Sequence, residues 1–103
     1  MPVTLQVIYH KNDGATFDMD YYTGTHLPLA GAHFGQYVTG LTASSGLNGG
    51  APDAPSPNHV IATLTFESMD KLGAAMEGAG HVLEDIPNFY SAAPQIMVGE
   101  VLG

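Results

Sequence analysis

Tyr22 and His26 are the residues of this chain whose types and spacing best fit proton transfer. They stand four positions apart in the stretch FDMDYYTGTHLPLAGAHFG, residues 17 to 35. Residues four apart share one side of a helix and can touch. An imidazole titrates near neutral pH and can act as a general acid or base, and a neighbouring phenol can orient it or share its proton. We therefore predict His26 as the catalytic residue, assisted by Tyr22.

Gly24 and Pro28 predict an irregular helix around His26. Glycine lowers helix stability, and proline lacks the N–H and crowds the carbonyl of the residue four positions before it, here Gly24. A kink or break near His26 would free a backbone carbonyl beside the imidazole. Two interpretations stay open: His26 lines a polar pocket in an apolar wall, or its ring is simply hydrogen-bonded to that carbonyl.

Further residues of the same region are candidates for ligand binding. Tyr21 adjoins Tyr22, and His33 follows His26 by seven residues, which is nearly the same helix face except that Pro28 lies between them. Phe34 on this helix and Phe66 at the end of a later strand would supply apolar walls. Aromatic residues at helical spacing more often belong to the core, and this alternative applies to Tyr22 as well.

A metal site receives little support. His10 and His59 are expected at one edge of the sheet, where they could bind a divalent ion with Asp13. Strand-end histidines are more often solvated, the chain has no cysteine, and no H-x-x-x-H pair is present. We predict no metal and, without a glycine-rich phosphate loop, no nucleotide cofactor. The acidic residues Asp18, Asp20, Asp70, Glu77, Glu84 and Asp85 are interpreted as helix-cap or solvated charges.

The charge balance restricts the partners. Ten acidic residues face Lys11 and Lys71, with no arginine, for a net charge of −8. Nucleic acid is implausible because neutralising phosphates requires a basic face, and anionic membranes are disfavoured for the same reason. A small neutral ligand, apolar or aromatic, fits better. No signal peptide or transmembrane segment is visible, so the expected location is the cytoplasm.

The elements that must position these residues follow the order βαββαβ. Residues 3–9 and 59–66 alternate in strand fashion, the stretch QYVTGLTASSGL after Gly35 is interpreted as a glycine-interrupted strand, and residues 94–102 supply a last strand. Residues 1–103 are expected to form a single domain. A second helix is predicted from Ser68 to Pro87, with Met69, Leu72, Met76, Gly80 and Leu83 as its buried stripe. The proline-rich segment 47–58 is predicted to be a long loop that could act as a lid.

This order predicts an α+β, ferredoxin-like fold. Its antiparallel sheet has strand order 4-1-3-2, and both helices lie on one face. The other face carries Gln6, Ile8, Ile61 and Thr63, which is too apolar to leave open. We therefore expect a homodimer that pairs through this face.

The motif F-x-x-x-Y-Y-x-x-x-H-x-P-L resembles the signature of the EthD family, named for a protein of ethyl tert-butyl ether degradation. Its positions here are Phe17, Tyr21, Tyr22, His26 and the pair Pro28–Leu29. A first strand of the VIY kind, the strand ATLTFES and the tail DIPNFYSAAPQIMVGEV extend the match. The resemblance implies the dimeric α+β barrel and a link to oxidative degradation or polyketide-type metabolism, sometimes with an oxidoreductase label. Position 22 is Tyr where many relatives have Trp.

Two functions from different classes follow. The first is a cofactor-independent enzyme, or accessory factor, that holds a small apolar or aromatic metabolite between the first helix and the sheet and transfers a proton through His26. The second is a non-catalytic dimer that sequesters such a compound, and a haem-binding or metal-binding barrel is a third. The sequence identifies neither the substrate nor the reaction type, nor whether a partner protein or higher assembly is required.

Overall fold

The computed structural model describes residues 1–12 and 14–103. In chain order, the strands and α-helices are β1 (Val3–His10), α1 (Met19–Tyr21), α2 (Leu27–Phe34), β2 (Val38–Ser45), β3 (Asn58–Phe66), α3 (Met69–Glu77), α4 (Gly80–Glu84) and β4 (Gln95–Glu100). A π-helical turn, Tyr22–His26, joins α1 to α2, and a 3-10 turn, Ile86–Asn88, follows α4.

The four strands form one antiparallel sheet in the order β2-β3-β1-β4. This is the predicted order 4-1-3-2 seen from the opposite edge, so the ferredoxin-like fold is confirmed. The central strands alternate strictly between buried and half-buried residues because successive side chains point to opposite faces. On β1, Leu5, Val7 and Tyr9 face the helices and the core, whereas Gln6 and Ile8 lie on the outer face.

The first helical region is continuous rather than broken. The Asp18 side chain caps its start by accepting a hydrogen bond from the Tyr21 N–H at 3.1 Å. Instead of the predicted kink or break near His26, the chain widens into the π turn, where the Leu27 N–H donates to the carbonyl of Tyr22, five residues back. The wider turn accommodates Pro28, which has no N–H and would clash in a regular α-helix.

The second helical region differs from the prediction. Ser68 caps α3 as expected, through a hydrogen bond from the Lys71 N–H. The single helix to Pro87 is wrong, because α3 ends at Glu77 and α4 starts at Gly80. The interruption changes which residues face inward.

The predicted buried stripe of this region is correspondingly wrong at three of its five positions. Met69 is 54% exposed, Leu83 is 39% exposed and Gly80 is exposed, whereas Leu72 is buried as predicted and Met76 is half-buried. The neighbouring Ala75 and Val82 occupy the interior instead, at 0% and 3% exposed.

The segment between β2 and β3 packs on itself at the sheet edge that carries His10 and His59. The Gly49 N–H donates to the carbonyl of Ala54, and the Ser56 hydroxyl to that of Asn58. None of its residues lines the apolar cavity described below, so the lid predicted for residues 47–58 stays a prediction without a contact to support it.

Candidate functional site

A buried His–Asp pair lies between the two helical regions. Nδ1 of His26, in the π turn, is 3.0 Å from Oδ2 of Asp85, immediately after α4. The two side chains are 5% and 11% exposed. An ionised carboxylate can only accept, so the Nδ1–H of His26 donates a hydrogen bond to Asp85. This bond leaves Nε2 as the ring nitrogen that can take a proton, which is the arrangement that a general base requires.

Asp85 is held by two further donors. The Tyr21 hydroxyl donates to its Oδ1 at 2.7 Å, and the Asn88 side-chain amide donates to the same oxygen at 3.0 Å. Burial by itself would raise the pKa of Asp85, but the hydrogen bonds from Tyr21, Asn88 and His26, together with the charge of His26, lower it below its ordinary value. The carboxylate is therefore ionised at neutral pH and orients the imidazole.

Aromatic rings enclose the imidazole. The ring of Tyr22 stacks on His26 with centroids 5.5 Å apart and planes 20° apart, and Phe89 approaches it to 4.5 Å. Tyr22 and His26 share one side of the helix although the turn between them is π rather than α. The imidazole is thus fixed by a carboxylate on one side and by ring stacking on its face.

His26 lines an apolar cavity of about 50 Å³ between the helices and the sheet. Such a volume exceeds the roughly 10–15 Å³ that one water needs, but is well below the roughly 300 Å³ of a drug-sized pocket. The walls are aliphatic and aromatic: Leu5, Val7, Tyr9, Tyr22, His26, Leu27, Ala30, Phe34, Leu41, Ala62, Leu64, Met76, Val82, Leu83, Ile86 and Ile96. Leu83 and Ile96 are 39% and 50% exposed, so they mark its opening to solvent.

Three polar groups on this apolar wall have no hydrogen-bond partner among the residues that the structure describes. They are Nε2 of His26 and the hydroxyls of Tyr9 and Tyr22, on residues that are 4%, 2% and 2% exposed. Burial raises the pKa of Tyr22 to about 12. Burial raises the pKa of Tyr9 as well, with smaller contributions from the nearby Tyr22 and Tyr90. Both tyrosines therefore remain protonated at neutral pH.

The predicted site residues fall into two groups. Tyr22, His26 and Phe34 meet at the cavity. Tyr21 does not reach it: its hydroxyl points to Asp85, so its place is behind the imidazole rather than against a ligand. The partner of His26 is also different from the carbonyl freed near Gly24 that the sequence offered as an alternative.

Two other candidates lie away from the cavity. Nε2 of His33 is 2.8 Å from the carbonyl of Ala75, and its ring packs 5.1 Å from that of His81. Because the π turn Tyr22–His26 precedes α2, His33 does not lie on the helix face that carries His26. Phe66 is fully buried in the core without lining the cavity.

The strand-end histidines make separate contacts. Nδ1 of His10 accepts from the Asn12 N–H at 3.3 Å, and Nε2 of His59 is 2.8 Å from the carbonyl of Ala15. Their predicted partner Asp13 lies outside the described residues. Among the residues that are described, no three His, Asp or Glu side chains come close enough to hold a metal ion.

Sequence reasoning missed Asp85 and Tyr9. Asp85 was interpreted as a cap or solvated charge, because it lies 59 residues from His26 and no local spacing connects them. Tyr9 was included only as part of the alternating strand 3–9 and was given no role in a site. One signal was available: a tyrosine on an otherwise aliphatic strand face brings a hydroxyl into the core, where it needs a partner.

Fold and site together define a small ferredoxin-like α+β protein with a buried His–Asp pair at an apolar cavity. The family model of the EthD domain matches residues 14–93. This chain belongs to the EthD family.

Solved structures agree with this assignment. An EthD-like protein from Ralstonia eutropha is 31% identical, with a TM-score of 0.86 over 99% of this chain and 93% of that one. An EthD family protein from Bacillus halodurans is 19% identical, with a TM-score of 0.79 over 99% and 100%. SnoaB from Streptomyces nogalater, described as a cofactor-independent oxygenase, is 10% identical and has a TM-score of 0.68 over 99% and 94%, which shows a shared fold. Among curated proteins, no sequence matches this chain.

None of the helices in residues 1–12 and 14–103 has the length and hydrophobicity that crossing a bilayer requires.

Proposed function

We propose that this protein is an acid–base enzyme that binds a small apolar or aromatic metabolite at the opening beside Leu83 and Ile96, with only its reacting part in the cavity, and moves a proton through Nε2 of His26. The observation that carries the proposal is the hydrogen bond of 3.0 Å between Asp85 and the imidazole, placed at the wall of an apolar cavity. The carboxylate fixes the tautomer and stabilises the imidazolium that forms when Nε2 takes a proton. Tyr22 assists by holding the ring plane.

The surroundings of the pair favour catalysis over a purely structural role. A histidine that served only packing would have both nitrogens satisfied, whereas Nε2 here has no partner within the described part of the chain. The walls of the cavity are also apolar, and electrostatic interactions between a bound substrate and the imidazole are stronger in such surroundings than in water.

Oxygen chemistry is compatible with the same first step. SnoaB carries out cofactor-independent oxygenation on this fold. Removal of a proton from an electron-rich substrate would produce the carbanion or enolate that supplies the electrons for such a reaction. We accordingly place this protein in oxidative degradation or polyketide-type metabolism, and its cytoplasmic location stays a prediction from the sequence.

The test uses 5-nitrobenzisoxazole, which opens to a coloured cyanophenolate when a base removes its ring proton. The wild-type protein is expected to accelerate the opening, and His26→Gln is expected to abolish the acceleration. His81→Gln, at an exposed histidine, is the matched control and should retain it. Equal rates for wild type and His26→Gln would contradict the enzyme proposal.

A binding measurement distinguishes the enzyme from the alternative function, a non-catalytic dimer that sequesters a metabolite. NMR shifts of the cavity methyl groups on addition of 5-nitrobenzisoxazole report occupancy independently of turnover. Shifts without any accelerated opening would support the binding protein and overturn the enzyme. Absence of both would count against any small aromatic ligand at this cavity.

A second copy of the chain is the proposed partner, through the outer face of the sheet. The register places Met97, Gln6 and Thr63 in one row across the strands and Ile8 beside Ile61 in the next. Met97 is 51% exposed, and the two isoleucines are only half-buried. Pairing with another sheet would cover Ile8, Ile61 and Met97, the apolar side chains of this mixed face.

A further inference from the structure

The hydroxyls of Tyr9 and Tyr22 are unused polar groups at the same cavity as His26. The two rings meet edge to face with centroids 5.6 Å apart, and Tyr22 stacks on the imidazole. Each residue is 2% exposed, and neither hydroxyl has a hydrogen-bond partner among the residues described. The nearby Tyr90 differs, because its hydroxyl donates to the backbone carbonyl of His10 at 2.7 Å.

Among the described residues, no side-chain nitrogen or oxygen is both fully enclosed and without a hydrogen-bond partner. The unpaired Tyr9 and Tyr22 hydroxyls therefore have open space beside their oxygens. Two such hydroxyls on one apolar wall indicate a ligand that completes their hydrogen bonds. Both phenols keep their protons at neutral pH, so each can donate its O–H as well as accept at its oxygen. Two donors on one wall match a ligand oxygen that has two lone pairs, such as a carbonyl oxygen.

We propose that Tyr9 and Tyr22 bind the carbonyl oxygen of the substrate, which is therefore a neutral, apolar ketone with an acidic C–H beside the carbonyl. This inference rests on the proposed function for the role of His26. It adds the substrate class and a further catalytic residue, Tyr9.

The chemical step balances without a co-reactant. Nε2 of His26 takes the proton from the carbon next to the carbonyl, and the electron pair of that C–H bond becomes the C=C bond of an enolate. The negative charge moves to the oxygen, where the two phenolic O–H groups donate to it. Asp85 stabilises the imidazolium, which later returns the proton to carbon or to oxygen. Donors placed at a developing oxyanion are a large source of rate acceleration.

The lack of arginine is consistent with this substrate class. The chain has two lysines, Lys11 and Lys71, and a net charge of −8, so an anionic ligand would be repelled. Neutral phenols bind a carbonyl without requiring a counter-charge. The negative charge of the enolate appears only after the neutral ketone has bound, and the positively charged imidazolium then lies beside it.

The experiment uses 2-tetralone and tetralin, a ketone and a hydrocarbon of the same ring shape. Infrared difference spectra against carbon-13 ketone isolate the carbonyl band of bound 2-tetralone, which should lie at lower wavenumber than in an apolar solvent. Tyr9→Phe and Tyr22→Phe should each move the band back and weaken ketone affinity about fivefold, the equivalent of one neutral hydrogen bond. Tetralin affinity should stay unchanged in both variants.

Tyr90→Phe is the matched control, because that hydroxyl is already bound to His10. It should leave the band and both affinities as in the wild type. An unchanged band in Tyr9→Phe and Tyr22→Phe would overturn the inference, as would equal loss of tetralin affinity.

Deuterium uptake at the carbons beside the carbonyl separates this inference from the proposed function. His26→Gln should lose the uptake but keep the shifted carbonyl band. Uptake that persists in His26→Gln would contradict proton transfer by His26 while leaving the tyrosine contacts in place. Uptake that depends on His26 but not on the tyrosines would leave the proposed function and remove the inference.

Discussion

At the scale of single residues, Asp85 decides what His26 can do. Its two oxygens receive three donors: the imidazole, the Tyr21 hydroxyl and the Asn88 amide. Hydrogen bonds to an ionised group are stronger than those between neutral groups. The imidazole is therefore held in one tautomer by a group that is itself held in place, as a proton-transfer site requires.

The lowered pKa of Asp85 predicts a pH-dependent contribution to stability. A carboxyl group whose pKa is lower in the folded state stabilises the protein at pH values above its unfolded pKa, and this contribution is lost as the pH falls through the folded pKa. Asp85→Asn should lower the free energy of unfolding by about 1 to 3 kcal/mol at pH 7, the range for a lost hydrogen bond to a charged group. The difference should disappear in acid, once the wild-type carboxyl is protonated.

Urea unfolding at pH 7, 5 and 3 measures this difference. Glu84→Gln, at the exposed neighbouring carboxylate, is the control and should change little at any pH. A difference for Asp85→Asn that stays constant down to pH 3 would show that the carboxylate charge is not what stabilises the site.

The contacts that the sequence predicted are between residues close together in the chain, and the contacts that it missed are between distant residues. The contact between His26 and Tyr22 was predicted because residues four apart share one side of a helix, and that relation is local. Asp85 was not found, since its contact with His26 depends on how α4 packs against the π turn. The displacement of His33 from the cavity likewise depends on a local change of helix type that periodicity does not include.

At the scale of elements, the π turn Tyr22–His26 is the feature that places the site. It precedes Pro28 and contains the hydrogen bond from the Leu27 N–H to the Tyr22 carbonyl five residues back. The sequence predicted irregularity here from Gly24 and Pro28, and located it well. The sequence pattern does not distinguish a kink, a break and a widened turn, because all three relieve the clash between the proline ring and the carbonyl four residues before it.

Deletion of Thr25 tests this explanation. Thr25 is exposed, and its removal would convert the five-residue step into the four-residue step of an α-helix. Pro28 would then sit in a regular helix, which costs about 3 kcal/mol. We expect the deletion to lower the free energy of unfolding by that order.

Adding Pro28→Ala to the deletion should recover most of the loss, whereas Pro28→Ala alone should have a small effect because Pro28 is exposed. Urea denaturation of the wild type, the Thr25 deletion, Pro28→Ala and the combined variant measures the loss of stability and its recovery. Failure of Pro28→Ala to rescue the deletion would mean that the turn is maintained by packing rather than by the proline.

At the scale of the whole molecule, strand alternation was enough to predict the fold. VTLQVIY and HVIATLTF each carry one apolar face, and the order βαββαβ leaves few arrangements for them. The break between α3 and α4 was missed because the helical stripe of Met69, Leu72 and Met76 continues formally through Gly80 to Leu83. Only tertiary packing shows that Ala75 and Ala79, both fully buried, lie at the interior instead.

Pairing of two copies through the outer sheet face is testable with Ile8→Lys. A lysine at the centre of this face would place a charge in the proposed interface of both copies. We expect it to weaken association by about 2 kcal/mol or more per copy, the size typical of a central interface residue. Leu47→Lys, at a loop residue that is 91% exposed, is the control. Sedimentation that gives the same species for wild type and Ile8→Lys would contradict the pairing.

Alternate side chains of β1 connect this outer face with the cavity. Ile8 lies on the face where the second copy would bind, and Tyr9, the next residue, lines the cavity on the other side. Because β1 is hydrogen-bonded to a strand on each side, a substitution at Ile8 that displaced its backbone would also displace the Tyr9 ring in the cavity.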